Sequence, residues 1–278
     1  MDVTLAGLPL TGTDSLGVLW ILDRNGVVGW GSPATTIAPV QKPRQDGAWG
    51  GLAYRKPRSI VMSGSCVAPT EGLALDALDR LSTAVSPDGA TLTVVKGLSS
   101  RWATVRQDGE VLPTWAAPNS FDWSIQLVAV DPRKFAASLT GTTSLPSTTG
   151  GLTIPYTIPY AINATTVTGQ VSLTNPGNAS GPVLLQINGP ITGPTITHVS
   201  TGQALTFASS LSLAAGEFIT VDMERREVLA QGQAAASRNA WVTARGWSAF
   251  DPGVNTWALS APSYAAGTLQ VTATPAWQ

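Results

Sequence analysis

Catalysis needs groups that titrate near neutrality, nucleophiles beside a base, or clustered metal ligands. This chain has one histidine, His198, and one cysteine, Cys66. A single His and a single Cys cannot by themselves make a zinc site, which takes three or four protein ligands. Cys66 sits in the apolar run SIVMSGSCV (59–67) and reads as a small buried residue rather than a reactive thiol. His198 reads as a residue on a strand face or turn. A glycoside hydrolase would need two facing carboxylates. Asp122, Asp131, Asp222, Glu224 and Asp251 are available, but most have a local explanation. Asp131 precedes Pro132 at a strand end, Asp251-Pro252-Gly253 is a turn, and Asp222 and Glu224 flank Met223 at a hairpin. Neither a P-loop nor a GxGxxG in strand-to-helix context is present. Gly64-Ser65-Cys66-Val67 lacks the second glycine of a nucleophile elbow. The expectation is a protein that is not an enzyme, with no cofactor and no metal.

Ten tryptophans are the other candidate chemistry. Exposed Trp stacks on sugars or bases, and buried Trp fills a core. Trp123, between Phe121 and Ile125 on one strand face, reads as core. Trp247 and Trp257 bracket the turn 249–255 and read as sandwich core or edge. Trp115, in PTWAAPN, reads as a loop residue and a candidate interface residue. Trp241, Arg245 and Trp247 could together form a stacking platform for a glycan. Lys42, Arg44, Arg55, Lys56 and Arg58 crowd a polar stretch that reads as a long loop, and they join Trp115 as candidate interface residues.

The scaffold that must position these groups is set by composition. Charged residues are 12% of the chain, against about 25% in ordinary domains, while hydrophobic residues are 43%. Such a surface is either Ser/Thr/Gly-coated or buried against neighbours. A net charge of -1 gives no footprint for nucleic-acid binding. No run of 18 apolar residues and no basic amphipathic stretch suggests membrane insertion. With one cysteine, no intramolecular disulfide is possible, and the cytosol is an acceptable place to fold. The opening MDVTLAGLPLTGTD has no basic n-region, so no secretory route is expected.

Twenty-eight Gly and 20 Pro separate short alternating runs, the texture of an all-β protein. Strands are expected at 16–23 and 27–31, joined by an Asn25-Gly26 hairpin, and at 59–67, 91–97, 101–108 and 121–131. Asp108-Gly109 is a second hairpin signal. One helix is expected at 71–85, capped by Thr70, with Ala74, Leu78, Leu81 and Val85 at helical spacing. The Ser/Thr/Gly-rich segment 139–151 has the composition of a flexible connector. It divides a β domain with one helix (1–138) from a region of many short strands (152–278) that reads as an antiparallel sandwich.

Three blocks resemble phage distal tail proteins, the ring components at the tip of a long phage tail. They are DGAWGGLAYRKPRSIVMSGSCVAPTEGLALDALDRLSTAV (46–85), FDWSIQLVAVDPRKF (121–135), and the run from GGLTIPYTIPYAI (150–162) through WSAFDPGVNTWAL (247–259). The resemblance implies a mainly β chain: an N-terminal split-barrel-like domain with one helix, then a galectin-like antiparallel β-sandwich. It further implies a homo-oligomer, a hexameric ring, joined to the tail tube protein on one face and to tail-tip hub or fibre proteins on the other. DNA would be transiting cargo only. The protein would be a virion component of the tail tip, assembled in the host cytoplasm. The alternative is a carbohydrate-binding adsorption module for the host surface. Galectin-type sites combine His, Asn, Arg and Trp, whereas His198 has no Trp or Arg near it in sequence.

Overall fold

A computed structural model describes residues 1–146, 148–151, 163–167, 169–232, 236–262 and 266–278. It is mainly β, 54% strand and 7% helical. The chain divides into two compact units, Met1–Ala136 with Gln278, and Ala137–Trp277.

The first unit is built from β1 (Asp2–Leu5), β2 (Leu19–Val28), β3 (Arg58–Val67), α1 (Glu71–Ala84), β4 (Ala90–Lys96), β5 (Ser99–Gln107), β6 (Leu112–Ala117) and β7 (Ser120–Ala129). All its strand pairs are antiparallel, in the order β1, β4, β5, β7, β3, β2. Strand β5 runs beside β4 from Ser99 to Val105, but meets β7 only through Arg106 and Gln107. The sheet is thus split at β5, as in a half-opened barrel. Alternation along β3 and β7 buries Ile60, Met62, Phe121, Trp123, Ile125 and Leu127 on one face. Trp20 meets Phe121 and Trp123 edge to face, at centroid distances of 6.4 and 6.3 Å, a preferred aromatic geometry. Helix α1 closes this core with Ala74, Ala77, Leu81 and Ala84. Its start is fixed as the sequence predicts: the Thr70 hydroxyl accepts a hydrogen bond from the Leu73 N–H at 3.3 Å. Arg80 then holds the helix to the buried Asp14 carboxylate at 2.7 Å.

Four local expectations fail here. Asn25-Gly26 is not a hairpin turn. β2 runs through it, and its pairing to β3 jumps from Leu22–Gly64 to Val27–Met62. Gly26 has φ +62°, which a bulge needs as much as a type I′ turn does. Asp108-Gly109 also bends a strand without reversing it: β5 and β6 follow each other along the same edge of β7. Trp115 is therefore on strand β6, paired with Phe121, and not in a loop. Finally, the stretch expected as a long loop forms two short antiparallel ladders. Thr35–Ile37 pairs with Ala53–Arg55, and Val40–Gln41 with Ala48–Trp49.

The second unit contains β8 (Leu139–Ser144), β9 (Gln170–Asn175), β10 (Val183–Asn188), β11 (Thr195–His198), β12 (Gln203–Phe207), β13 (Phe218–Asp222), β14 (Glu227–Ala230), β15 (Val242–Arg245), β16 (Gly253–Ser260) and β17 (Thr268–Ala273). Among the described residues these form two five-stranded antiparallel sheets, β8-β17-β10-β13-β14 and β9-β16-β11-β12-β15. Their inner faces meet in one core that includes Leu185, Ile187, Ile196, Leu205, Phe207, Ile219, Val221, Trp257, Leu259, Leu269 and Val271. This is a β-sandwich.

The connector expected at 139–151 is corrected in part. Leu139–Ser144 pairs with β17 along its whole length as an edge strand, and Thr148–Gly151 pairs with Asn163–Val167. The first unit ends at Ala136 rather than at 138. A Ser/Thr/Gly run has the composition of a linker, but its β-branched Thr suits an edge strand equally well. The block 150–162 lies outside the described residues after Gly151.

Candidate functional site

The two lone chemical groups are structural. Cys66 is buried, and that burial pushes its thiol up to about 11. His198 is also buried. Its ring nitrogens hydrogen-bond Thr201 Oγ1 at 2.8 Å and Asn255 Oδ1 at 3.1 Å. Burial pulls its pKa below the ordinary value, against the raising effect of the Asn255 bond. The sequence shows no Trp near His198, yet strand pairing sets it opposite Trp257, at a ring separation of 5.1 Å. His198, Asn255 and Trp257 thus come together as in a sugar site, but all three are at most 1% exposed. The Asp222 side chain accepts from the N–H groups of Glu224 and Arg225, so it shapes a turn. Among the described residues, no three His, Cys, Asp or Glu gather as a metal site. No described helix is long and apolar enough to cross a membrane.

The candidate interface residues separate into two kinds. Arg58, expected at an interface, is instead 1% exposed. Its guanidinium donates to the carbonyl oxygens of Pro132 (2.7 and 3.2 Å), Gly29 (2.8 Å) and Gly31. Next to it Lys134, also buried, donates to the Trp30 and Gly31 oxygens at 2.9 and 3.1 Å. Burial, with the Arg58 and Arg101 charges nearby, lowers Lys134 to about 8. Charge count in a sequence cannot reveal this inward turn, because the backbone oxygens that receive Arg58 belong to Gly29, Gly31 and Pro132, all distant from it in sequence. A cavity of about 500 Å³ opens beside the pair, lined by Trp30, Arg24, Lys96, Arg101 and Lys134.

The other four cations stand outside. From Ala34 to Pro57 no residue is buried. This segment is a two-ladder arm that leaves the sheet between β2 and β3. It carries Lys42, Arg44, Arg55 and Lys56 against one acid, Asp46. It also exposes Ile37, Val40, Trp49, Leu52 (74%) and Tyr54 (66%). Trp115 is 43% exposed, lies tilted against Phe121 with ring centroids 5.2 Å apart, and borders a hollow with Glu71, Leu75 and Pro118.

The outer face of the β2-β3-β7-β6 sheet is uncovered. Leu19, Ile21, Val67 and Leu112 are exposed on these strands. Between them lies a shallow groove of about 450 Å³ lined by Asp23, Ser63, Ser65, Thr114, Asp122 and Ser124. Its two carboxylates accept from the Ser63 and Ser65 hydroxyls at 2.5 and 2.6 Å. In the sandwich, Arg245 and Trp247 share a hollow of about 310 Å³ with Arg226 and Asn239. Trp241 does not line it; its ring lies 4.9 Å from the Arg238 guanidinium.

No family model and no curated protein matches the chain. Solved structures do match it. The SPP1 Dit protein, described as a paradigm of the hub adsorption apparatus in phages infecting Gram-positive bacteria, aligns over 98% of each chain, with TM-score 0.65 and 14% identity. A chain of the phage P2 baseplate, in its activated conformation with Ca, aligns over 93% of this chain and 90% of that one, with TM-score 0.54 and 10% identity. The corresponding Sr structure gives TM-score 0.54 and 10% identity over 91% and 90%. The resemblance to phage distal tail proteins therefore holds at the level of the fold, across both units.

Proposed function

We propose that this chain is a structural component of a phage tail tip, a distal tail protein whose function is its interfaces. The observation that carries the reading is the alignment over 98% of both chains with a tail hub protein. The site chemistry supports it. Cys66 and His198 are locked in cores, and the exposed features are an arm, an open sheet face and an aromatic hollow. These fit assembly better than turnover.

In this reading the first unit forms a closed ring, a hexamer, around the path of the DNA. One side joins the tail tube and the other the hub or fibre proteins. A ring is a heterologous contact that closes on itself. A net charge of -1 suits a channel that DNA crosses without binding, since cationic lining would capture phosphates. The protein is then a virion component assembled in the host cytoplasm, with candidate contacts at Lys42, Arg44, Arg55, Lys56 and Trp115. Mass spectrometry of purified virions tests this: recovery of the chain at about six copies per particle supports it, and absence from virions overturns it.

A second reading has one specific observation behind it. The hollow with Arg245, Trp247, Arg226 and Asn239 combines an aromatic ring with hydrogen-bond donors, as glycan sites do. A glycan array probed with the full chain tests host-carbohydrate binding. Signal lost in Trp247→Ala supports it, and a blank array at high protein concentration removes it.

A further inference from the structure

We propose that the cavity beside Trp30 binds an oligophosphate anion, either a free phosphate chain or the triphosphate of a nucleotide. The cavity holds about 500 Å³, within the ~300–1,000 Å³ of small-molecule sites. The fold brings its cations together from segments far apart in sequence. Strand β4 ends at Lys96 and β5 returns through Arg101, with Ser99 opposite Lys96 and Arg101 opposite Val94. Cross-strand partners, and residues two apart on a strand, share a face, so Lys96 and Arg101 lie on one side of this hairpin. Arg24 comes from the irregular part of β2, where the pairing to β3 jumps. Its neighbour Asp23 turns to the outer face and accepts from Ser63. Lys134 arrives buried, just before Phe135 pairs with Trp102. Arg24, Lys96, Arg101 and Lys134 therefore line one hollow, and among the described residues no acid lines it.

Like charges around a hollow repel one another, and apolar walls focus their field on whatever enters. Here Val27, Trp30 and Val94 supply the walls. The charge is not neutralised from within the chain: among the described residues, Arg24, Lys96 and Lys134 form no ion pair. Lys134 commits two of its three N–H groups to the oxygens of Trp30 and Gly31. The third is left for a ligand. Burial, then the Arg58 and Arg101 charges, already disfavour the Lys134 ammonium, and an anion beside it would relieve this. Guanidinium forks grip phosphate oxygens in pairs, and an ammonium adds a point charge. A lone carboxylate would offset one of the four cations, whereas a chain of phosphates carries several negative charges. The inference goes beyond the tail-tip reading and does not rest on it.

Isothermal titration calorimetry of the full chain with tripolyphosphate tests it. Saturable binding at one site per chain is expected, much tighter than for sulfate. The double variant Arg24→Ala/Lys96→Ala should weaken it by roughly tenfold or more, because two charge-assisted contacts are lost. Both residues are exposed, so the fold should stand. The matched pair Arg106→Ala/Arg225→Ala removes the same charge from exposed positions outside the cavity and should change the affinity by less than about twofold. ATP and adenosine distinguish the sources. ATP bound as tightly as tripolyphosphate, with adenosine silent, supports a nucleotide triphosphate; ATP held much more weakly supports a free phosphate chain. Tripolyphosphate held no more tightly than sulfate overturns the proposal. So does an equal loss in both pairs of variants, or tighter binding of an acidic peptide such as hexaglutamate. Binding by a chain that is absent from virions leaves this site standing and removes the tail reading alone.

Discussion

Replacing Arg58 by Ala tests the division between structural and surface cations. Arg58 satisfies three carbonyl oxygens, those of Pro132, Gly29 and Gly31, and is 1% exposed. A hydrogen bond from a charged donor contributes about 1.5 kcal/mol or more net; Gly29 and Gly31 are exposed residues and Gly31 keeps its bond from Lys134, so no further cost for orphaned carbonyls is added. Three such acceptors give roughly 4–5 kcal/mol. Relief of the buried charge, and of its repulsion of Lys134, returns about 1 kcal/mol by the desolvation argument. The expected loss is therefore about 3–4 kcal/mol, out of the ~5–15 kcal/mol typical of a domain. At about 3–4 °C per kcal/mol for a unit of this size, the first unit should melt roughly 10 °C lower. Arg55→Ala and Lys56→Ala, on the exposed arm, should stay within about 0.5 kcal/mol of the parent. Scanning calorimetry of the full chain reads the shift. Hydrogen exchange at residues 58–67 and 120–132 assigns it to the first unit. If Arg58→Ala is as mild as the two arm variants, the clamp is not a stabilising device and the assignment is wrong.

Lys134 gives a pH signature. Its folded value of about 8 lies below the ordinary 10.5, so between these values the unfolded chain binds more protons. Stability should accordingly rise with pH in that window, by about 2–3 kcal/mol; urea titrations at pH 7.5 and 10 should show it, and Lys134→Met should lack it. The lowered value of His198 acts on the acid side. As pH falls through the ordinary 6.5 the unfolded chain takes up the proton before the folded one, so the second unit should weaken there and His198→Gln should not. Cys66 should react with a maleimide only after unfolding, as mass spectrometry would show; rapid labelling of the folded chain would contradict its burial. Thr70→Ala should cost about 1 kcal/mol in thermal unfolding through the lost helix cap.

The fold was legible wherever one physical signal dominated. Alternation of apolar and polar residues in 121–127 marks a half-buried strand, the β-branched and apolar run 59–67 marks another, and Thr70 with Ala74 and Leu81 marks the helix and its buried side. What stayed hidden involves signals shared by two structures. Asn25-Gly26 supplies a positive φ to a bulge as readily as to a hairpin. Thr-rich 139–144 serves as an edge strand or as a linker. Arg58 sits among four surface cations, and only the carbonyls of Gly29, Gly31 and Pro132, distant in sequence, turn it inward. The arm reads as a loop because its strands are two or three residues long and bury nothing. The proximity of His198 and Trp257 depends on the register between β11 and β16, which no local pattern reveals.

A distal tail protein has one place in the particle, the tail tip. Electron microscopy of purified phage, labelled with antibody against this chain, tests it most directly. Label is expected only at the distal end of the tail, on a ring-shaped density that encircles the tail axis. Label on the capsid or along the tail tube, or intact tips that carry no label, would contradict it.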